Sequence, residues 1–85
     1  MAQFLIKWKI KAVNQQSLAA ILQMPEYFNE LKKKNILEHR YHIVGHHGGF
    51  IIIKVSDHTE LEKNLALMPI YNIAKFKIYP LTQMS

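Results

Sequence analysis

Two kinds of hydrophobic spacing alternate along the chain, one with a period of two residues and one typical of helices. A period of two predicts a strand with one apolar face, because successive side chains point to opposite sides. This spacing predicts strands at residues 4–10, 37–43 and 74–78, with Pro80 closing the last one. Residues 50–55 are apolar at nearly every position, which is typical of a central strand covered on both sides.

Helical spacing occurs in two stretches, at residues 14–34 and after Ser56 or Asp57, either of which can cap the second helix. Pro25 interrupts the first stretch and predicts a kink or a division into two helices, because proline cannot donate a backbone hydrogen bond. Asn35 is expected to take the left-handed conformation that ends this stretch. Pro69 stops the second helix.

The predicted element order is βαββαβ within a single domain, residues 1–85. Crossovers between parallel strands are right-handed, so each β–α–β unit leaves a gap that a strand of the other unit fills. The result is an α+β, ferredoxin-like fold: a four-stranded antiparallel sheet in the order 4-1-3-2, with the two helices on one face.

Alternation also predicts which side chains the helices cover. If Phe4, Ile6, Trp8 and Ile10 face the helices, Leu5, Lys7 and Lys9 lie on the open face of the sheet. Phe50 and Ile52 join them from the third strand. In the second strand His39 and Tyr41 are expected beneath the helices, with His39 as a core residue, and Glu38, Arg40 and His42 on the open face. An exposed apolar patch usually marks an interface, so we expect a second copy to cover this face.

Composition narrows the function classes only slightly. The chain is 49% hydrophobic and 20% charged, as in ordinary globular domains, and its 85 residues contain no cysteine. Disulfides, thiolate zinc sites and thiol catalysis are therefore excluded. A formal net charge of +5 favours anionic partners. No apolar run approaches the roughly 20 residues that a membrane span needs, and we expect a cytoplasmic protein without membrane contact.

The candidate chemistry lies on the open face. A three-residue loop, residues 45–47, would pair His42 with Phe50 and Arg40 with Ile52. Lys7 and Lys9 lie on the neighbouring strand, so this pocket would hold a small organic acid, its carboxylate bound by cations and its ring on Phe50 and Ile52. His42 would then be the catalytic base. The alternative is that His42 is an ordinary exposed strand residue.

Two adjacent histidines, His46 and His47, lie in the predicted hairpin turn. Imidazole is a common metal ligand, but neighbouring residues in a turn rarely point at one ion, and no supporting ligand stands at a suitable spacing. We therefore expect no metal site here and no cofactor.

Residues 41–81 resemble the muconolactone isomerase family of aromatic catabolism. The segment Y-H-I-V-G-H-H-G-G-F at residues 41–50 is similar to the family's W-R-(I/V)-(A/V)-G-x-Y-A-N-Y. Glu60, Leu61 and Leu65 approximately match its E-x-L-H-x-x-L pattern, and residues 68–71, M-P-I-Y, resemble its L-P-L-F. Several family residues are replaced: the arginine is His42, the Y-A-N triplet is residues 47–49, the following serine is Ile51 and an acidic residue is Lys54.

This resemblance implies a ferredoxin-like fold, assembly from dimers and the double-bond isomerisation of a small lactone. One alternative is a relative that binds a ligand or has a structural role without catalysis. Another is nucleic-acid binding, because RNA-recognition motifs share the βαββαβ order and use the open face. That mode needs stacking aromatics, and Phe50 and Tyr79 alone are too few, so nucleic acid is not expected as a partner.

Overall fold

The computed structural model describes residues 1–45 and 47–84. Its four strands form one antiparallel sheet in the order β2-β3-β1-β4, which confirms the predicted topology and the α+β class. The elements in chain order are β1 (Ala2–Ile10), α1 (Gln15–Leu22), α2 (Met24–Lys33), β2 (Leu37–His42), β3 (Gly48–Val55), α3 (His58–Ala66) and β4 (Ala74–Leu81).

The first helical stretch divides at Gln23, as the position of Pro25 suggested. Proline is tolerated in the first turn of α2, where the missing N–H would have no helical partner anyway. α1 begins with a capping box in which Asn14 and Ser17 bond each other's backbone N–H groups at 2.9 and 2.7 Å. Asn35 follows α2 with φ 59°, the left-handed conformation expected of it.

Asp57 caps α3, because its side chain accepts a hydrogen bond of 2.9 Å from the Glu60 backbone N–H. Glu60 in turn accepts hydrogen bonds from the hydroxyl and the backbone N–H of Ser56. These bonds favour the ionised carboxyl group and lower the pKa of Glu60. The two alternatives for this cap are thus resolved, with Asp57 as the N-cap and Ser56 closing the turn before it.

A single apolar core fills the space between the helices and one face of the sheet. Its members are Phe4, Ile6, Ile10, Met24, Phe28, Leu31, Ile36, Ile51, Ile53, Val55, Leu61, Leu65, Met68, Ile70 and Ala74. The contributions of β1, β3 and β4 alternate along each strand, as expected for strands with one covered face, whereas Ile78, near the end of β4, is 36% exposed.

A partly buried polar contact joins two of the helices. The Tyr27 hydroxyl donates a 2.7 Å hydrogen bond to the Asn64 carbonyl and so links α2 to α3. Burial raises the pKa of Tyr27 to about 12, because the phenolate form is disfavoured away from water.

The predicted side-chain phase of β2 was wrong beyond its first two residues. Leu37 pairs with Ile53 and keeps its place beneath the helices, but the register shifts between Leu37 and His39. A bulge of this kind inserts one residue into one strand, and every side chain after it changes face. His39 therefore pairs with Ile52, and Tyr41 pairs with Phe50.

Within the part of the chain that the structure describes, no helix is long and apolar enough to cross a membrane.

Candidate functional site

The six predicted site residues do not share one pocket, because the bulge in β2 separates them. Four of them, Lys7, Lys9, Phe50 and Ile52, lie on the open face as expected. Arg40 and His42 lie on the opposite, helix-covered side, since they pair with Ile51 and Gly49. The predicted pairing of His42 with Phe50 and of Arg40 with Ile52 is therefore wrong. His39, expected in the core, is exposed on the open face.

A mainly apolar concavity lies on the helix side, where the β2–β3 hairpin approaches α1 and α2. Its volume is about 340 Å³, within the range of small-molecule sites. Its walls are apolar and its polar groups come from the hairpin. The lining residues are Trp8, Ile10, Ile21, Met24, Pro25, Phe28, Arg40, Tyr41, His42, His47, Gly48 and Ile70. We call this concavity the helix-side cleft.

Two aromatic rings form part of the apolar wall of the helix-side cleft. Trp8 of β1 and Phe28 of α2 lie with their ring centroids 6.0 Å apart. Gly49 leaves room for this arrangement, because a Cβ there would lie 3.3 Å from the Trp8 ring and overlap the Tyr41 carbonyl oxygen. Gly49 thus permits close contact between β2, β3 and the Trp8 ring.

Arg40 supplies the positive charge of the cleft. Its guanidinium lies over the Phe28 ring, 4.3 Å from the centroid, a cation–π contact that fixes its position. Across residues 1–45 and 47–84, no carboxylate pairs with it. A planar guanidinium without an ion pair matches the geometry of an incoming carboxylate.

Two imidazoles, His42 and His47, complete the polar rim from the two sides of the hairpin. Imidazole nitrogens can donate or accept hydrogen bonds, so both side chains can contact a polar group of a bound molecule. Arg40, His42 and His47 therefore place one cation and two imidazoles at the edge of an apolar wall.

The open face has a different character. Tyr41 and Phe50 stack with centroids 4.9 Å apart, and His39 stacks on Tyr41 at 6.2 Å. Beside this aromatic stack, Leu5 and Ile52 face each other across β1 and β3, both partly exposed. The bulge thus adds two rings to a face on which the sequence predicted only Phe50 and Tyr79.

Sequence reasoning missed the cleft because it missed the bulge. The segment L-E-H-R-Y-H at residues 37–42 contains one aliphatic residue, so its alternation gives little information on phase after Leu37. Tyr41 suits either a buried or an exposed position, since it has an apolar ring and a polar hydroxyl. Trp8 was predicted only to face the helices, and nothing in the spacing of Trp8 or Phe28 distinguishes a core aromatic from a cleft wall.

No group of three or more His, Cys, Asp or Glu side chains suited to a metal ion occurs among residues 1–45 and 47–84. The predicted absence of a metal at the His46-His47 pair stays a prediction, because His46 lies outside the described residues.

Comparison with known proteins places this geometry in a family. No curated protein matches the chain significantly in sequence. Among solved structures, a crystal structure of muconolactone isomerase at 3.3 Å resolution superimposes with a TM-score of 0.85 at 16% sequence identity, covering 96% of this chain and 90% of that one. At that identity the likeness shows the fold. The family model for muconolactone delta-isomerase matches residues 2–85, so the match includes the first half of the chain, and the chain belongs to that family.

Proposed function

We propose that this protein binds a small organic acid or unsaturated lactone in the helix-side cleft and catalyses a proton-shift isomerisation of it. The main support for this proposal is the position of Arg40 and His42, which lie together at the rim of an apolar cleft of about 340 Å³. Membership in the muconolactone delta-isomerase family supports the same chemistry. A muconolactone-like compound has the two parts that this site suits, a planar ring and a carboxylate.

Shifting a double bond in such a lactone moves one proton and changes no oxidation state. A base removes the proton from one end of the allylic unit and returns it to the other end, and the double bond moves by one position. Between the two steps the electron pair is delocalised onto the carbonyl oxygen, which is stabilised by a hydrogen-bond donor.

Each of these requirements has a candidate in the cleft. The imidazole of His42 is the base, and the guanidinium of Arg40 binds the substrate carboxylate. His47, on the other side of the hairpin, is the donor for the carbonyl oxygen. Trp8 and Phe28 hold the ring and keep water from its reacting carbons.

The single tryptophan of the chain makes binding directly measurable, because Trp8 lines the cleft. We expect muconolactone to change the Trp8 fluorescence, and Arg40→Gln to weaken binding about tenfold or more through loss of a charged contact. Lys7→Gln is the matched control, since it removes a cation from the open face. If Lys7→Gln weakens binding and Arg40→Gln does not, the ligand lies on the open face and the cleft proposal is wrong.

Catalysis is tested separately by following deuterium incorporation into muconolactone in D₂O by NMR. His42→Gln should reduce the exchange rate by about 100-fold or more, the contribution of a general base, while the fluorescence titration still shows binding. Binding by the unmodified protein without exchange would instead support the non-catalytic alternative.

The open face supports a second proposal, that two copies assemble through it. Leu5, Phe50 and Ile52 remain partly exposed there, and small cores benefit from association. The family resemblance implies assembly from dimers as well. Light scattering coupled to size exclusion should show a dimer or a multiple of it, and a clean 10 kDa monomer at micromolar concentration would contradict this proposal.

A further inference from the structure

Four lysines form a compact block at one end of the open face. Lys7 pairs directly with Lys77, and Lys9 with Lys75, across the adjacent strands β1 and β4. Side chains directly opposite each other have Cβ atoms about 5 Å apart, and neighbours on one face of a strand are about 7 Å apart. All four residues are exposed. We call this group the lysine block.

This arrangement is unfavourable for the isolated chain. Like charges directly opposite each other destabilise a sheet, and here two such pairs lie side by side. The ion pairs found in residues 1–45 and 47–84 are Lys33 with Glu30 and Lys54 with Glu38, so neither includes a member of the lysine block. The block thus has a concentrated positive charge without a described carboxylate to balance it.

We infer that the lysine block binds a small multivalent anion of the polyphosphate or polycarboxylate class. Four ammonium groups on flexible stems can converge on several anionic oxygens at once, and each charge-assisted contact is stronger than a neutral hydrogen bond. The block is about 5 by 7 Å between Cβ positions. This compact shape matches a short polyanion better than an extended backbone.

The rest of the open face supports a small ligand rather than a long one. A surface that follows a nucleic-acid strand needs a continuous positive groove beside its stacking rings. Beyond the aromatic stack, Glu38 pairs with Lys54 at 3.8 Å and accepts a hydrogen bond from Gln3 at 2.8 Å. The positive charge is therefore interrupted along β3, and it does not extend across the sheet.

Anion binding has a consequence for assembly, and this step alone rests on the proposed dimer. Among residues 1–45 and 47–84, the open face carries five lysines, the block and Lys54, against the one carboxylate of Glu38. Two copies facing each other would bring ten ammonium groups and two carboxylates into one interface. An anion bound at each lysine block reduces that repulsion, so anion binding and association should reinforce each other.

The test uses sodium tripolyphosphate as the probe and sodium chloride at equal ionic strength as the reference. We expect tripolyphosphate to shift the backbone amide resonances of Lys7, Lys9, Lys75 and Lys77 at submillimolar concentration. The double variant Lys75→Gln/Lys77→Gln should weaken this binding at least tenfold. The matched control Lys32→Gln/Lys34→Gln removes the same charge from the end of α2 and should change it by less than twofold.

Three results would overturn the inference: equal shifts in chloride and tripolyphosphate, equal weakening in the control variant, or tighter binding of a single-stranded oligonucleotide than of tripolyphosphate. Sedimentation velocity then tests the consequence for assembly. If the protein is a dimer and tripolyphosphate does not change its association, the proposed coupling between anion binding and assembly is wrong, but the assembly proposal stands. A monomer in every condition would contradict the assembly proposal, and the NMR titration would still decide the anion site.

Discussion

On the helix-covered face of the sheet, Ile6, Ile51 and Ile53 are at most 1% exposed, whereas Leu5 and Ile52 from the same two strands stay partly exposed on the other face. The side chains are of one kind, and only their direction differs. The two faces therefore have different roles. The helix-covered face provides stability and the cleft, and the open face presents apolar, aromatic and cationic groups to the solvent. Strand phase decides which residues serve which role.

The sharpest test of this comparison replaces neighbouring isoleucines that point in opposite directions. Ile51→Ala should lower the free energy of unfolding by about 3 kcal/mol, because it leaves a cavity in a packed core. Ile52→Ala should cost about 1 kcal/mol, since its side chain buries less area. Chemical denaturation at low protein concentration measures both.

The same experiment at several protein concentrations tests the proposed assembly through the open face. If two copies assemble through that face, the cost of Ile52→Ala should increase as the wild-type protein associates, while that of Ile51→Ala stays nearly constant. If Ile51→Ala and Ile52→Ala lower the unfolding free energy equally at every protein concentration, the two faces are equally covered and the proposed difference between them is wrong.

The hydrogen bond between α2 and α3 is the next largest effect expected on the helix-covered side. Tyr27→Phe should cost about 1 kcal/mol, because it removes the bond to the Asn64 carbonyl while the ring stays in place. Tyr79→Phe on the open face is the control and should change stability by only a few tenths of a kcal/mol. A larger loss for Tyr79→Phe would reverse the expected order.

The same tyrosine predicts a pH dependence. The pKa of Tyr27 is about 12 in the folded protein and 10.0 in the reference state, so the folded state holds this proton more tightly. The resulting stabilisation is fully present below pH 10 and is lost as the pH rises towards 12. Denaturation across this pH range should show a loss of unfolding free energy that Tyr27→Phe lacks. Absorbance titration should show one phenol that ionises at higher pH than the others and is absent from that variant.

Much of the difference between the two faces of the sheet could be predicted from the sequence. Alternation predicted the correct phase for most of β1, β3 and β4, because their apolar positions are occupied by large aliphatic or aromatic residues. Pro25 located the division between α1 and α2, since the consequences of a missing N–H are local. Strand order followed from the handedness of crossovers.

The candidate site was less predictable, because one added residue in β2 moves several side chains together. With the bulge, Tyr41 and His39 reach the open face, and Arg40 and His42 reach the helix side. A bulge depends on pairing with β3, and the short polar segment that contains it has no local signal strong enough to indicate it. The helix-side cleft requires contacts between β1, β2 and α2, which no single-strand pattern describes.

Replacing the two neighbouring residues that the bulge sends to opposite faces tests the bulge itself. Arg40→Gln should cost about 0.5–1 kcal/mol through loss of its cation–π contact with Phe28. His39→Gln should cost less, because His39 is exposed and its ring only stacks on Tyr41. Thermal unfolding of the two variants gives the order, and a larger loss for His39→Gln would favour the uninterrupted strand phase.

The smallest expected effect has the opposite sign and comes from the lysine block. Lys77→Glu replaces a like-charged pair with an opposite-charged one facing Lys7, and opposite-charge cross-strand pairs contribute about 0.2–1 kcal/mol. We therefore expect the unfolding free energy to increase by a few tenths of a kcal/mol at low ionic strength.

Lys63→Glu on α3 is the control, since it makes the same charge change away from the sheet. In 1 M sodium chloride the Debye length falls to about 3 Å, so the gain should largely disappear. A gain that is equal for Lys63→Glu would reflect net charge alone, and a loss for Lys77→Glu would show that the four ammonium groups do not repel one another on this face.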